Sequence, residues 1–175
     1  MSQIPECDFL PRTETEALTP LPGFHLVSIS DDIDDQARID ESRWESVSYH
    51  HFVDAGFDEE VLQIYGTDFE QHYADYLLAH KADQLRARLS ALVGERANIV
   101  INCQAGRSRS AAVAMYLHRH HGYRLQKPTP DANLCVYRML AMDPQLIAAY
   151  QTAVTPSTSD RPLGLIARLK AILGW

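Results

Sequence analysis

The chain has 175 residues, 46% of them hydrophobic and 22% charged, a balance that calls for one domain with a full core. Its net charge of -7 argues against general nucleic-acid binding, which needs a basic face, and requires a local basic site to draw in any anionic substrate. Cys7, Cys103 and Cys135 show no framework spacing, which fits free thiols in a reducing compartment.

Residues 1–19 carry prolines and acids without a basic or apolar leader pattern, so a loosely ordered lead-in is expected rather than a signal peptide. "FHLVSIS" (24–30) reads as a buried strand, and the acidic "DDIDDQARIDE" after it as a solvated loop or helix start. "SVSYHHFV" (46–53) is a second β-rich run, ending at Asp54, Ala55 and Gly56. Across 67–94, Phe69, Tyr73, Tyr76, Leu77, Leu85, Leu89 and Leu92 recur at helical spacing. Thr67 and Glu70 match a capping box, and Gly94 supplies the stop.

"ANIVIN" (97–102) is a short β-branched strand suited to a central position. A tight turn follows, then a helix over about 110–121 closed by Gly122, with further helices expected over 131–142 and from Pro144. These elements make a main domain of 20–154, a linker at 155–160 and a short amphipathic helix with a basic bias at 161–175. That last segment suits docking on its own domain or on a second copy, or weak contact with a membrane surface. Strands interleaved with helices predict an α/β fold with a central, largely parallel sheet flanked by helices, and no run reaches transmembrane length. A cytoplasmic location is expected.

The turn "NCQAGRSRS" carries the chemistry. After a strand, backbone N–H groups of Gln104, Ala105, Gly106, Arg107 and Ser108 can converge as a nest for an anion, and the positive end of the next helix points at the same place. Gly106 permits the tight backbone, and Arg109 can fork two hydrogen bonds onto a tetrahedral oxyanion. The same field lowers the pKa of Cys103, setting a thiolate against the bound group. The pattern points to phosphoryl transfer to sulfur, followed by hydrolysis. Clustered His118, His120 and His121, with His50 and His51 upstream, lack the partners of a metal site, and neither metal nor cofactor is expected.

"NCQAGRSRSAAVAMYL" resembles the phosphate-binding loop of the cysteine-dependent protein tyrosine phosphatase superfamily, in its small dual-specificity-like branch. The likeness is strong over 97–122, weaker over 24–54 and 123–142, and absent from both tails. It implies a protein tyrosine phosphatase-like fold and a phosphatase domain over 20–154. It implies Cys103 as nucleophile, Arg109 as the grip on the phosphoryl oxygens and Ser110 as the stabiliser of the departing thiolate. Gln104, Ala105, Gly106, Arg107 and Ser108 would cradle the phosphate.

The family usually has histidine before the cysteine, where this chain has Asn102, so a less depressed thiol pKa is expected. The resemblance also calls for an aspartate acid after the preceding strand. Asp54 fits and Asp58 is the second candidate, with the extra length in "AGFDEEVLQIYGT" implying an enlarged acid loop. "KPTPDAN" is expected to turn back beside the site, where Asn133 would brace that loop. A phosphoprotein substrate, phosphotyrosine or dual-specificity, ranks just ahead of a phosphoinositide- or phosphatidylglycerophosphate-type phospholipid, which Arg107 and the basic tail favour. A catalytically weak phosphate-recognition module is a further alternative. Oligomeric state is not legible.

Overall fold

The computed structural model describes residues 4–156. The expected helix at 161–175 lies outside the described residues, as does most of the linker at 155–160.

Five strands form one sheet in the order β3-β2-β4-β1-β5, and every pairing is parallel. They are β1 (Glu6–Pro11), β2 (Phe24–Ser30), β3 (Ser46–His51), β4 (Asn98–Cys103) and the two-residue β5 (Arg124–Leu125). Between β1 and β2 lies α1 (Arg12–Ala17), and between β3 and β4 lie α2 (Glu59–Tyr65), α3 (Phe69–His72) and α4 (Ala79–Gly94). Then come α5 (Arg109–His121), α6 (Leu134–Leu140) and α7 (Pro144–Val154).

β4 sits at the centre because "NIVINC" offers apolar side chains to both faces, as a strand covered on both sides must. Ile99, Ile101 and Cys103 enter the larger core with Leu85, Leu89 and Leu92 of α4 and the alanine-rich face of α5. On the opposite face Val100 joins Leu26 and Trp44 beneath the thinner cover of residues 10–47. The small side chains of Ala111, Ala112 and Ala114, all fully buried, let α5 approach the sheet closely. Gly122, in the left-handed conformation, ends α5 by giving its N–H to the His118 carbonyl.

Residues 6–17 correct the expected loose lead-in. β1 pairs with β4 over five residues, from Cys7↔Ile99 to Pro11↔Cys103, and α1 follows at once. Acidic Glu6 and Asp8 made the strand read as a loop. Its alternate positions Cys7 and Phe9 are nevertheless buried in the core.

The single helix expected over 67–94 is also corrected. The chain breaks between α3 and α4, and neither Thr67 nor Glu70 makes a capping bond. Glu70 instead accepts a hydrogen bond from the Tyr150 hydroxyl at 2.6 Å, and the Tyr150 hydroxyl oxygen in turn accepts the Ala79 N–H that opens α4. Phe57, Phe69, Tyr73 and Tyr150 pack around this break, mostly edge to face, so aromatic packing overrides the helical spacing.

Among the described residues, no helix is long and apolar enough to cross a membrane.

Candidate active site

A parallel sheet brings all its strand carboxyl ends to one edge, and the loops there can meet. Arg12 after β1, Asp31 after β2, Phe52 to Asp54 after β3 and Gln104 after β4 all leave the sheet at that edge. The turn between β4 and α5 lies at its centre.

Cys103 is fully buried at the base of this turn. Its Sγ lies 3.1 Å from Ser110 Oγ, and the backbone amides of Gly106, Arg107 and Ser110 favour its ionised form. Burial pushes the thiol pKa up, but the Ser110 hydroxyl and those amides together outweigh it, and the net shift is downward. Gly106 has φ +64° and lies against the end of β1, where an added Cβ would come within 2.0 Å of the Pro11 backbone nitrogen. Only glycine satisfies both demands.

Arg109, the first residue of α5, is 2% exposed. Its Nη1 donates to Asp31 Oδ1 at 2.6 Å and to the Phe52 carbonyl at 2.5 Å, whereas its buried Nε has no partner. The guanidinium therefore turns inward. Gln104, Ala105 and Arg107 are exposed around the rim, and Ser108 is half-buried.

Asp54 is exposed and reaches the turn directly. Its Oδ1 accepts a hydrogen bond from Ser108 Oγ at 2.7 Å and another from Asn133 Nδ2 at 3.1 Å. Asn133 also donates to the Ala55 carbonyl at 3.2 Å, and its backbone N–H binds the Ser108 carbonyl. One residue thus ties the segment after β3 to the turn after β4. Asp58 is engaged elsewhere: its carboxylate caps α2 by accepting the Val61 N–H at 3.0 Å. The extra length read as an enlarged loop is folded, because residues 59–65 form α2, packed on α7.

Asn102 does not touch the thiol. It faces the side of the sheet opposite Cys103, in register with Ser28, and neither its amide oxygen nor its nitrogen has a hydrogen-bond partner. It is not a brace of the kind expected where the resemblance has histidine.

The acidic stretch after β2, expected as a solvated loop or helix start, holds two side chains that reach the candidate site. Asp31 pairs with Arg109, and Asp35 takes both terminal nitrogens of Arg12 at 2.8 and 2.6 Å. Their position just past the end of a parallel strand was the signal available to find them. Of the clustered histidines, His118 bonds the Tyr123 carbonyl and His120 stacks on Tyr116. Among the described residues, no group of three or more His, Cys, Asp or Glu is placed to hold a metal ion.

The ensemble is a bowl with the Cys103 sulfur at its base, the buried Arg109 guanidinium at one wall and the Asp54 carboxyl group on its rim. No protein-family model matches the sequence, and no curated protein matches it. A solved structure described as Tk-PTP in its active form aligns with 99% of this chain and 91% of that chain, at 13% identity and a TM-score of 0.37. A likeness that loose carries no argument, and the α/β architecture rests on the strand order and register given above.

Proposed function

We propose that the chain is a phosphatase that hydrolyses phosphate monoesters through a phosphocysteine intermediate, resembling the small dual-specificity-like protein tyrosine phosphatases. The observation that carries this reading is a fully buried Cys103 whose sulfur lies 3.1 Å from the Ser110 hydroxyl at the start of α5, with its pKa lowered despite burial. A structural cysteine needs no such field, and a thiolate held against a phosphate dianion does.

In the first step the Cys103 thiolate attacks phosphorus and the bond to the ester oxygen breaks. Protonated Asp54 gives its proton to the departing oxygen, so no alkoxide is released. The amides of residues 104–108 and the Arg109 guanidinium take up the charge on the three equatorial oxygens. In the second step a water attacks the phosphocysteine, Asp54 accepts its proton, and the Ser110 hydroxyl stabilises the thiolate that leaves. Ser108 and Asn133 keep Asp54 at the rim through both steps.

A phosphoprotein ranks ahead of a polyanionic lipid headgroup as substrate. Arg12 is already paired with Asp35, and Arg109 with Asp31, which disfavours a second anionic group beside the first. Exposed Arg107 is the feature on the other side of this balance.

Cys103→Ser should abolish turnover of an aryl phosphate while leaving phosphate binding intact. Measurable turnover in that variant would end the covalent route, and binding without wild-type turnover would leave a phosphate-recognition module. Asp54→Asn should slow an ester with a poor leaving group by about a hundredfold and one with a good leaving group much less. Equal losses for both would remove Asp54 from the acid role.

A further inference from the structure

We propose that a cavity at the amino-terminal edge of the sheet binds a small zwitterion, taking its carboxylate on Arg88 and its ammonium group on Glu45 and Glu95. The cavity has a volume of about 500 Å³, and His25, Ser46, Asn98, Glu45, Arg88 and Glu95 are among the residues that line it. Ser46 and Asn98 are the first residues of β3 and β4, and His25 is the second of β2. Cys103 is the last residue of β4, so the length of that strand, about 16 Å, separates the cavity from the bowl. The two sites lie at opposite edges of one sheet.

Arg88 marks this cavity as a place for an anion. Among the described residues, five arginines are buried or half-buried, and four of them pair with a carboxylate: Arg12 with Asp35, Arg86 with Asp83, Arg109 with Asp31 and Arg138 with Glu59. Arg88, on α4, is the fifth. Its Nη2 donates to the Ser46 hydroxyl, and its Nε is buried without a partner. An unmade hydrogen bond on a buried charged donor is costly, and a ligand carboxylate offers the two parallel acceptors that a guanidinium edge matches.

The neighbours of Arg88 select what accompanies that carboxylate. Ser46 Oγ also lies 2.7 Å from His25 Nδ1. Arginine can only donate, so the hydroxyl keeps its own proton for His25 Nδ1, and the neutral ring then carries its proton on Nε2. His25 is 8% exposed, and burial together with the charge of Arg88 holds its pKa down. It therefore adds a hydrogen-bond donor and no second positive charge. Glu45 and Glu95 are exposed, and both are near enough to favour a positive charge at His25. Two carboxylates beside one guanidinium repel a plain anion and attract a cation attached to it.

The ring resonances of His25 in the full chain report on the cavity, with glycine, acetate and methylammonium as separate probes. Glycine should move them saturably, acetate much more weakly, and methylammonium hardly at all. Arg88→Gln should weaken glycine by about tenfold, the loss expected for one charge-assisted pair. Glu45→Gln, at an exposed position, should weaken glycine less and should not weaken acetate. Melting temperature controls for folding, and the rate at which iodoacetamide alkylates Cys103 should stay at its wild-type value in both variants. The absence of a saturable glycine shift, equal midpoints for glycine and acetate, or a wild-type glycine midpoint in a folded Arg88→Gln would each overturn the proposal. Protection of Cys103 from iodoacetamide by glycine would place the probe in the bowl and overturn it as well.

Discussion

Cys7 and Cys103 lie on neighbouring strands, in one core cluster, both fully buried, yet their thiols shift in opposite directions. Burial pushes the Cys7 thiol up to about 12, and the charge of Asp8 adds to it. Burial pushes Cys103 the same way and loses to the Ser110 hydroxyl and the amides of Gly106, Arg107 and Ser110. The difference is position along the strand. Cys7 is inside β1, where backbone N–H groups are committed to ladder bonds with β4 and β5. Cys103 ends β4, and the N–H groups beyond it belong to a turn and a helix start, whose donors have no ladder to join. Acidity here comes from the Ser110 hydroxyl first and then from amides that no ladder has claimed, and burial makes each of them count for more.

The sharpest way to break this contrast is to take away the turn that aims the amides. In Gly106→Ala the new Cβ would meet the Leu10 carbonyl carbon at 2.4 Å and the Pro11 nitrogen at 2.0 Å, and the φ of +64° is strained for alanine. Both obstacles are backbone of a central strand and do not yield. Aryl phosphate turnover should fall by at least about a hundredfold, as displacements of an ångström at a reacting centre do. The iodoacetamide reactivity of Cys103 at pH 7 should fall towards that of Cys7. Wild-type reactivity of Cys103 in this variant would mean that the amides are not what sets its acidity.

Removing one donor should do less. Ser110→Ala deletes the hydroxyl 3.1 Å from the sulfur and leaves the amides in place. Losing a hydrogen bond to a charged acceptor should raise the Cys103 thiol pKa and cost about a tenfold loss of turnover. Following alkylation rate against pH in wild type and variant reads the shift directly. An unchanged midpoint would assign the depression to the backbone alone.

What made the turn legible in the sequence is that Cys103, Gly106, Arg109 and Ser110 fall within one eight-residue stretch, so local geometry brings them together wherever a strand precedes and a helix follows. β2, β4 and α5 were legible for a similar reason, since apolar runs and Gly122 mark them locally. β1 was hidden because Glu6, Asp8 and Pro11 are poor strand residues, and only pairing with β4 and β5 makes them one. The break before α4 was hidden because apolar spacing continues through Tyr73, Tyr76 and Leu77. What decides there is Tyr150, far along the chain. The Asp31–Arg109 pair spans 78 positions and reads as ordinary acidic loop until the sheet places its strand ends side by side.

His50 extends the comparison to a group that has burial without amides. Burial drives its pKa down from 6.5 to about 4, with the neighbouring His51 and then Arg88 adding repulsion, and its Nε2 is buried without a partner. The folded chain therefore binds fewer protons at this site than the unfolded chain does between those values. Stability from neutral His50 is complete above the unfolded value of 6.5 and is lost progressively as pH falls towards about 4. The linkage amounts to about 1 kcal/mol between pH 7.5 and 6, growing further below that. Urea denaturation at the two pH values measures it, and His50→Leu should flatten this part of the profile while the Cys103 alkylation midpoint stays where it is. A profile equally steep in the variant would place the acid sensitivity in buried His25 or half-buried His121, whose pKa values desolvation also lowers.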